Sequence, residues 1–348
     1  NYGEMLDLAN SKKELTAKKE LVNGNEFTIF SYMVQMTDTF DCELAKEFRG
    51  VVYCHNTNQF ISRPFPKFFN VSERPETQSD KINWNKAKFY YKHDGSLAIP
   101  VIVNGEIKWK TKKSFYSNVA IKIQSYWEKY HKHSPSSRIN ETKLLNLSKY
   151  HTLLFEYVAP DNQIVLPYEV EELIYLGFRD NETGEIILNE HYEATMNLDD
   201  IPNLTGIEGF VIHDGNQLIK KKTNWYLQRH KICTDFNPKE IIKATLNDEI
   251  DDIIGTVYQL GMDEYAKKIE KLRDETLTVN LDINSRVMEY WFYLDNIKCD
   301  DRKEFAMLVN SKVPSEYKGI MFSLKDDKNI KEAIHKLTFN EVYSKYKE

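Results

Sequence analysis

The stretch of sequence at residues 88–112, KFYYKHDGSLAIPVIVNGEIKWKTK, contains three predicted strands joined by two turns. Lys88–Tyr91 and Leu97–Val103 are rich in aromatic and β-branched residues, which is the composition of strands. Asn104-Gly105 is a strong hairpin-turn signal, and it leads into a third strand over Glu106–Lys112. The stretch therefore predicts antiparallel pairing of neighbouring strands.

The pattern continues on both sides of this stretch, from about residue 27 to residue 225. Further strands are predicted over 51–54, 60–63, 152–158, 173–178, 207–213 and 217–223, and helices near the N-terminus and over 116–131, 140–149 and 189–196. After Pro238 apolar residues recur at helical spacing, again over 263–277, 284–297 and 302–310. We predict an α+β fold, with a mainly antiparallel-sheet domain over 1–236 and an all-helical domain over 237–348.

Composition bounds the class of protein. The 348 residues are 41% apolar and 13% aromatic, which excludes a chain that is disordered throughout. No apolar run approaches the roughly 20 residues of a membrane helix, and the first ten residues do not resemble a signal peptide. Four cysteines without a CxxC pair are too few for a disulfide framework. We therefore expect a cytoplasmic protein with reduced thiols.

The net charge of −6 is unevenly distributed. Residues 240–348 contain 17 Lys and Arg against 22 Asp and Glu, so the preceding 239 residues are close to neutral at −1. Within that part, residues 107–127 and 215–234 contain several lysines and no acid. Because local patches decide where an anion binds, we expect a focused cationic cleft rather than a broadly basic surface.

Lys92-His93-Asp94-Gly95 is the most informative short motif. The common phosphate-loop patterns GxxxxGK[ST] and GxGxxG are missing from the sequence. A lysine at the end of a strand and before an Asp-Gly turn can project into a cleft, where its amine can act as a nucleophile. Taken alone, the motif is weak, because most chance matches to it are surface lysines before a turn.

Strand alternation yields two predictions about charged groups. Glu156 falls on the same face of its predicted strand as apolar residues, which requires either a polar partner or a position at the rim. Lys220 and Lys222 share one face of theirs, with Lys221 opposite. Glu208 reaches that face only if the intervening loop has an odd number of residues, and the three-residue loop 214–216 would pair residue 208 with residue 222.

Several segments occur in a recognisable order around Lys92: Glu47–Val52, Arg63–Asn70, Leu154–Pro160, Ile207–Val211 and Ile219–Tyr226. Together they resemble the motif series of the covalent nucleotidyltransferases, which include polynucleotide ligases and mRNA capping enzymes. The resemblance is strongest to the phage-type RNA ligase 1 family, which repairs tRNA. Arg49, Lys67–Asn70 and Asp180–Glu185 are particular to that family, and the detailed resemblance covers residues 27–230.

The resemblance implies an ATP-dependent RNA ligase that joins RNA 3′-OH and 5′-phosphate ends through a lysyl-AMP on Lys92 and an RNA-adenylate. It implies catalytic roles for Lys92, Lys220, Lys222 and Glu208, and a Mg²⁺ or Mn²⁺ ion at Glu208. It implies nucleotide contacts for Arg49, Lys67, Phe69, Asp94, Gly95, Lys112, Glu156, Leu176, Gly209, Val211 and Tyr226. The implied partners of a monomeric enzyme are RNA ends, a nicked tRNA among them, in the host cytoplasm if a phage encodes it.

Two alternatives stay open at this point. A DNA ligase or a capping-type guanylyltransferase on the same fold would usually carry a β-barrel after the last lysine motif, whereas the sequence after Trp225 predicts helices. A non-catalytic RNA-binding relative would lack the nucleophile or the phosphate-binding cations, and Lys92, Lys220, Lys222 and Glu208 are all present.

Overall fold

The computed structural model describes residues 1–135, 137, 139–297, 299 and 301–346. It divides into two compact units, residues 1–228 and residues 229–348. The domain division at residue 236 stays a prediction. Of the helices in the described residues, none is long and apolar enough to span a membrane.

The first unit contains all strands of the described residues and all elements of the candidate site. Its strands are β1 (Leu15–Val22), β2 (Asn25–Tyr32), β3 (Arg49–Cys54), β4 (Gln59–Ser62), β5 (Phe69–Asn70), β6 (Lys88–Lys92), β7 (Ser96–Val103), β8 (Glu106–Lys110), β9 (His151–Val158), β10 (Glu172–Asp180), β11 (Ile186–Leu188), β12 (Glu193–Ala194), β13 (Gly209–His213) and β14 (Leu218–Lys222). Its helices are α1 (Tyr2–Ser11), α2 (Glu43–Lys46), α3 (Asn118–Tyr130) and α4 (Glu141–Leu147), and α5 (Asn224–Asp235) begins in it.

These strands form three sheets. The strand orders are β1-β2-β3-β4, β11-β10-β9-β7-β8 and β12-β6-β13-β14-β5. The pairs are antiparallel except for β14 with β5, which is parallel. The predicted mixed fold with antiparallel sheets and a helical C-terminal region is confirmed.

The stretch at 88–112 folds as predicted over most of its length. β7 pairs with β8 around Asn104-Gly105, and both turn residues have positive φ, 53° and 80°, as this type of hairpin turn requires. The third strand ends at Lys110 and not at Lys112. Trp109 of β8 and Trp127 of α3 are fully buried in the same apolar cluster, which fixes α3 against this sheet.

The predicted helix over 189–196 is wrong. Residues 190–192 form a single 3₁₀ turn, and β12 then pairs with β6, Glu193 opposite Tyr90 and Ala194 opposite Phe89. Pairing to the free edge of β6 satisfies backbone groups that a short helix would otherwise satisfy within itself. Tertiary contacts therefore override the local helical pattern here.

The second unit consists of helices over its described residues. They are α6 (Pro238–Leu246), α7 (Ile250–Gln259), α8 (Asp263–Asn296), α9 (Arg302–Lys312), α10 (Ser315–Lys325) and α11 (Lys331–Ser344). α8 joins two segments that the sequence predicted as separate helices into one helix of 34 residues. Two apolar clusters lie along α8, one around Ile269 and one around Val287, and α11 contributes to both.

Candidate active site

Three neighbouring strands bring the central residues of the site into register. In the pairing of β6 with β13, Lys92 lies opposite Gly209, and in the pairing of β13 with β14, Gly209 lies opposite Lys222. One step along, Val211 lies between Tyr90 and Lys220. Paired residues share a face of a sheet, so Lys220 and Lys222 of β14 are on the face that carries Lys92, and Lys221 is on the opposite face.

The predicted three-residue loop between β13 and β14 is wrong. His213 pairs with Leu218, and the Asp214 N–H donates to the Gln217 carbonyl at 3.3 Å. The loop 214–217 is therefore even in length, and Glu208 is opposite residue 223 instead of residue 222, with the Thr223 N–H donating to its carbonyl at 3.0 Å.

Gly209 allows Glu208 to reach the face of the lysines although the loop has an even number of residues. Gly209 begins β13 with φ +147°, a conformation that side-chain-bearing residues rarely adopt. A Cβ added there would lie 2.2 Å from the Lys221 carbonyl oxygen. Because regular alternation is interrupted at this residue, Glu208 can reach the face from which an even loop alone would exclude it.

Glu208 forms ion pairs with two lysines of the site. Its carboxylate accepts a hydrogen bond from Lys92 Nζ at 2.9 Å and forms an ion pair with Lys222 Nζ at 2.8 Å, while only 3% of its side chain is exposed. A buried carboxylate is tolerated when it is paired and hydrogen-bonded. The pair of contacts holds the Lys92 amine in one place.

Cations with lowered pKa values lie near Glu208 and Lys92. Burial, together with the charges of Lys67 and Lys92, lowers the pKa of Lys220 to about 7. Burial and the charge of Arg49 lower the pKa of Lys67 to about 8, and burial and Lys113 do the same to Lys112. These ammonium groups lie close enough to repel one another. A bound polyanion would relieve that repulsion and stabilise their charged forms.

Aromatic rings hold several of these cations. Arg49 and Lys220 both lie over the ring of Phe68, at 4.8 Å and 5.7 Å from its centroid. Lys67 lies 5.5 Å from the Phe69 centroid. Two further pairs of this kind are Lys112 with Tyr32, at 3.6 Å, and Lys222 with Tyr226, at 4.6 Å. Ring faces attract cations without neutralising their charge, so the ammonium groups stay available to a ligand.

Gly50 explains why Arg49 and Lys112 are neighbours. A Cβ at Gly50 would lie 2.8 Å from the Lys112 carbonyl oxygen, so only glycine allows this approach of β3 to the end of β8. The fully buried Lys110 donates to the Gly50 carbonyl at 3.1 Å, and burial lowers its pKa to about 7. The sequence did not distinguish Lys110 from a solvated lysine.

Glu156 lies in the middle of β9, opposite Leu97 of β7 and Ile174 of β10. Burial raises the pKa of its carboxyl to about 7; Lys92 opposes this rise and Glu208 adds to it. The predicted conflict between a carboxylate and an apolar face is therefore real in the structure. A sugar hydroxyl is the type of neutral partner that would relieve it.

An apolar pocket opens beside Lys92. Predicted residues that line it are Arg49, Lys92, Glu156, Leu176 and Val211. Leu176 is the extra residue of a β-bulge in β10, at the point where the register with β9 shifts between Tyr175 and Gly177. A bulge redirects a side chain, and here the redirected side chain faces the pocket.

Sequence reasoning missed several pocket residues. These are Phe65, Phe68, Tyr90, Tyr91, His93, Leu97, Leu188, Asn189 and Tyr192. Phe65 and Phe68 belong to the quoted Arg63–Asn70 motif, so their position in the motif could have indicated them. Tyr192 was missed because its segment was predicted as a helix.

Seven of the predicted nucleotide-contact residues lie outside the pocket lining as the structure describes it: Lys67, Phe69, Asp94, Gly95, Lys112, Gly209 and Tyr226. Asp94 accepts from the Val165 and Leu166 N–H groups, both at 2.8 Å, and from the Tyr226 hydroxyl at 2.6 Å. A Cβ at Gly95 would lie 2.4 Å from the Tyr157 carbonyl oxygen. Asp94, Gly95 and Tyr226 thus support the turn after Lys92, and Gly209 supports Glu208.

Lys67 and Phe69 line a second, larger groove that shares Phe68 with the pocket. Arg74 also lines it, with its guanidinium 4.9 Å from the Phe69 centroid. Among the described residues neither Lys67 nor Arg74 forms an ion pair with a carboxylate. The cationic region therefore continues from the pocket into this groove.

Comparison with known proteins identifies relatives of this chain. A family model described as RNA ligase matches residues 47–200. "Putative RNA ligase" of Thermovibrio ammonificans is 28% identical over 295 residues, 77% of this chain and 76% of that protein. "RNA ligase 1" of Bacteriophage TS2126 is 23% identical over 295 residues, 78% of this chain and 72% of that protein.

A solved structure described as "Archaeal ATP-dependent RNA ligase - form 2" is 13% identical, with a TM-score of 0.41 over 78% of this chain and 75% of that chain. A likeness at that level carries no argument. By sequence, this chain is similar to RNA ligases, over residues 47–200 for the family model and over more than three quarters of its length for the two relatives.

Proposed function

We propose that this protein is an ATP-dependent RNA ligase that forms a covalent AMP adduct on Lys92. The observation that carries the proposal is the position of the Lys92 amine. It is held 2.9 Å from Glu208, lines an apolar pocket, and lies next to a cluster of cations. A nucleophilic amine, a place for a base and a place for phosphates thus meet at one atom.

In the proposed first step the Lys92 Nζ lone pair forms a bond to the α-phosphorus of ATP. The bond from that phosphorus to the bridging β-oxygen breaks, and its electron pair leaves with pyrophosphate. Glu208 is a contacting acceptor for the proton that the amine gives up. The phosphate oxygens and the departing pyrophosphate would be neutralised by the neighbouring cations, which are Lys220, Lys222, Lys67, Lys112 and Arg49.

Two further displacements complete the proposed reaction. A 5′-phosphate oxygen of RNA attacks the same α-phosphorus, and the P–N bond breaks to return the Lys92 amine and leave an RNA-adenylate. An RNA 3′-OH then attacks the 5′-phosphorus, loses its proton and displaces AMP. Glu156, whose raised pKa marks it as a group in need of a neutral partner, would contact the ribose.

A divalent ion fits the site in one respect. The described residues contain no group of three or more His, Cys, Asp or Glu that could hold a metal ion alone. Mg²⁺ is usually bound through one or two carboxylates together with substrate phosphates, and Glu208 is the carboxylate next to the reacting amine. We assign it as the protein ligand of Mg²⁺ or Mn²⁺, which would stabilise charge on the phosphates.

The substrate part of the proposal is repair of cut RNA, a nicked tRNA among the candidates. Support comes from the motif resemblance and from the two relatives, which are named "Putative RNA ligase" and "RNA ligase 1". A single-stranded 5′-phosphorylated RNA, the same sequence as DNA, and a nicked anticodon stem-loop would rank the substrates. Preferential joining of DNA would overturn the choice of RNA.

The decisive experiment incubates the protein with α-labelled ATP and Mg²⁺ without RNA. We expect label on the protein that survives denaturation and is released by acid, as a phosphoramidate is. Lys92→Ala should remove the label. Lys88→Ala is the matched control, because Lys88 lies on the same strand, is half exposed and pairs with Glu193. Label retained by Lys92→Ala would overturn the mechanism.

A further inference from the structure

His93 has a buried nitrogen without a partner. Its Nε2 atom is almost fully buried, although the residue is partly exposed, and forms no hydrogen bond to any residue that the structure describes. The residue follows Lys92 directly and lines the same pocket as Leu176 and Val211. Buried polar atoms in native proteins are nearly always paired, and an exception calls for an explanation, such as a ligand that supplies the missing partner.

The imidazole is neutral and fixed in place. Burial and the neighbouring charge of Lys92 lower the pKa of His93 to about 4, although Glu208 opposes this shift. Its ring packs edge-on against the Tyr192 ring, with 4.6 Å between the ring centroids. The His191 ring also packs edge-on against Tyr192, at 5.0 Å. A neutral imidazole has one donor and one acceptor nitrogen, so it suits a polar, uncharged group rather than a phosphate.

The edge of a purine base is a polar, uncharged group that the pocket can accommodate. Its apolar walls suit the faces of a purine, and the cations that suit phosphates lie around Lys92 at its edge. Asn189, which also lines the pocket, already donates to the Tyr175 carbonyl at 2.9 Å and accepts from the His191 N–H at 3.2 Å. The unused hydrogen-bonding capacity at Nε2 is thus able to contact the edge of a base.

We propose that His93 selects adenine over guanine, with Nε2 accepting a hydrogen bond from the 6-amino group of the base. Position 6 is a donor in adenine and an acceptor in guanine. With the proton on Nδ1, guanine would place its oxygen against the Nε2 lone pair. This inference rests on the proposed function, and it adds the choice of nucleotide to it.

The test compares nucleotides in the labelling of Lys92. We expect the wild-type protein to label with α-labelled ATP in preference to GTP. His93→Phe keeps a ring against Tyr192 and removes the nitrogen, so its efficiency with ATP should fall about tenfold while that with GTP does not. His93→Gln should keep ATP and admit GTP, because a rotated amide presents either an acceptor or a donor.

An ATP analogue that lacks the 6-amino group isolates the contact. The wild-type protein should use it about tenfold less efficiently than ATP, and His93→Phe should treat the two alike. His191→Phe is the control, since His191 also contacts the Tyr192 ring but is exposed and does not line this pocket.

The outcomes separate the two proposals. Equal losses with ATP and GTP in His93→Phe, or an unchanged ratio, would overturn the role of His93 while leaving the ligase mechanism intact. A wild-type protein that labels with neither nucleotide would overturn the proposed function itself.

Discussion

The two compact units bury different kinds of side chain. In the first unit the buried charged residues of the described chain are Glu20, Asp94, Lys110, Arg179, Glu208 and Asp214. In the second unit the buried polar residues are Thr245, Thr276 and Thr338, and each hydroxyl donates to the carbonyl four residues earlier in its own helix. The second unit thus buries no charge among its described residues.

This difference shows what each unit's sequence has to encode. Burying an ionised group is costly unless a partner of the correct geometry is provided. The first unit provides those partners, as for Arg179, whose two amino groups each donate to the Glu47 carboxylate at 2.7 Å. The second unit needs only an apolar pattern at helical spacing. Substitutions of buried polar groups should therefore have very different effects in the two units.

The largest effect is expected for Glu208→Gln. The amide keeps the shape but removes the negative charge between Lys92 and Lys222, so the two ammonium groups would repel each other and the amine would lose its position. We expect the rate of AMP transfer to the protein to fall by about 100- to 1000-fold. A loss of less than about tenfold would contradict the role of Glu208. Glu193→Gln, which affects the pair with Lys88, is the control.

An intermediate effect is expected in the pH dependence of stability. Because the folded pKa of Glu156 is raised from 4.5 to about 7, its neutral form is favoured in the fold. That contribution is fully present below pH 4.5 and is lost as the pH rises through 7, for a total of at most about 3 kcal/mol. Urea unfolding at pH 5 and pH 8 should show a smaller pH dependence for Glu156→Gln than for the wild-type protein.

The smallest effect is expected for Thr276→Val in the second unit. The substitution keeps the volume and removes a hydroxyl whose acceptor is already part of the helix, so the free energy of unfolding should change by less than about 1 kcal/mol. The matched change in the first unit is Thr223→Val. Thr223 donates to the Ile207 carbonyl and accepts from the Tyr226 N–H, both at 3.0 Å. Equal effects in urea unfolding would break the comparison between the units.

The strands and most helices were predictable because their patterns are local. Val51–Cys54 and Leu97–Val103 have the residues of strands, and Asn104-Gly105 has a conformation that few other pairs adopt. The helix predicted over 189–196 failed because the pairing of Glu193–Ala194 with β6 is a contact over more than 100 residues. The segments 263–277 and 284–297 were predicted as two helices because the apolar spacing is interrupted between them. In the structure the helix α8 continues through residues 278–283.

Prediction of the site divides in a similar way. The structure brings Lys92, Glu208, Lys220 and Lys222 together, and the ordered motifs had indicated them. The loop after β13 was predicted with the wrong parity because backbone regularity was assumed at Gly209, where it fails. His93 and Tyr192 were missed because their partnership joins distant segments, and no pattern within either segment announces it. The catalytic and binding roles of the site residues stay predictions.

The conformation of Gly209 has a consequence for how the protein tolerates mutation. Every other residue at this position would bring a carbon atom within 2.2 Å of a neighbouring carbonyl oxygen. A saturation library would therefore show almost complete intolerance at a residue that offers no functional group. Gly209→Ala would disable the enzyme while every chemical group of the site is still present, and comparison with Lys92→Ala would separate the contribution of geometry from that of chemistry.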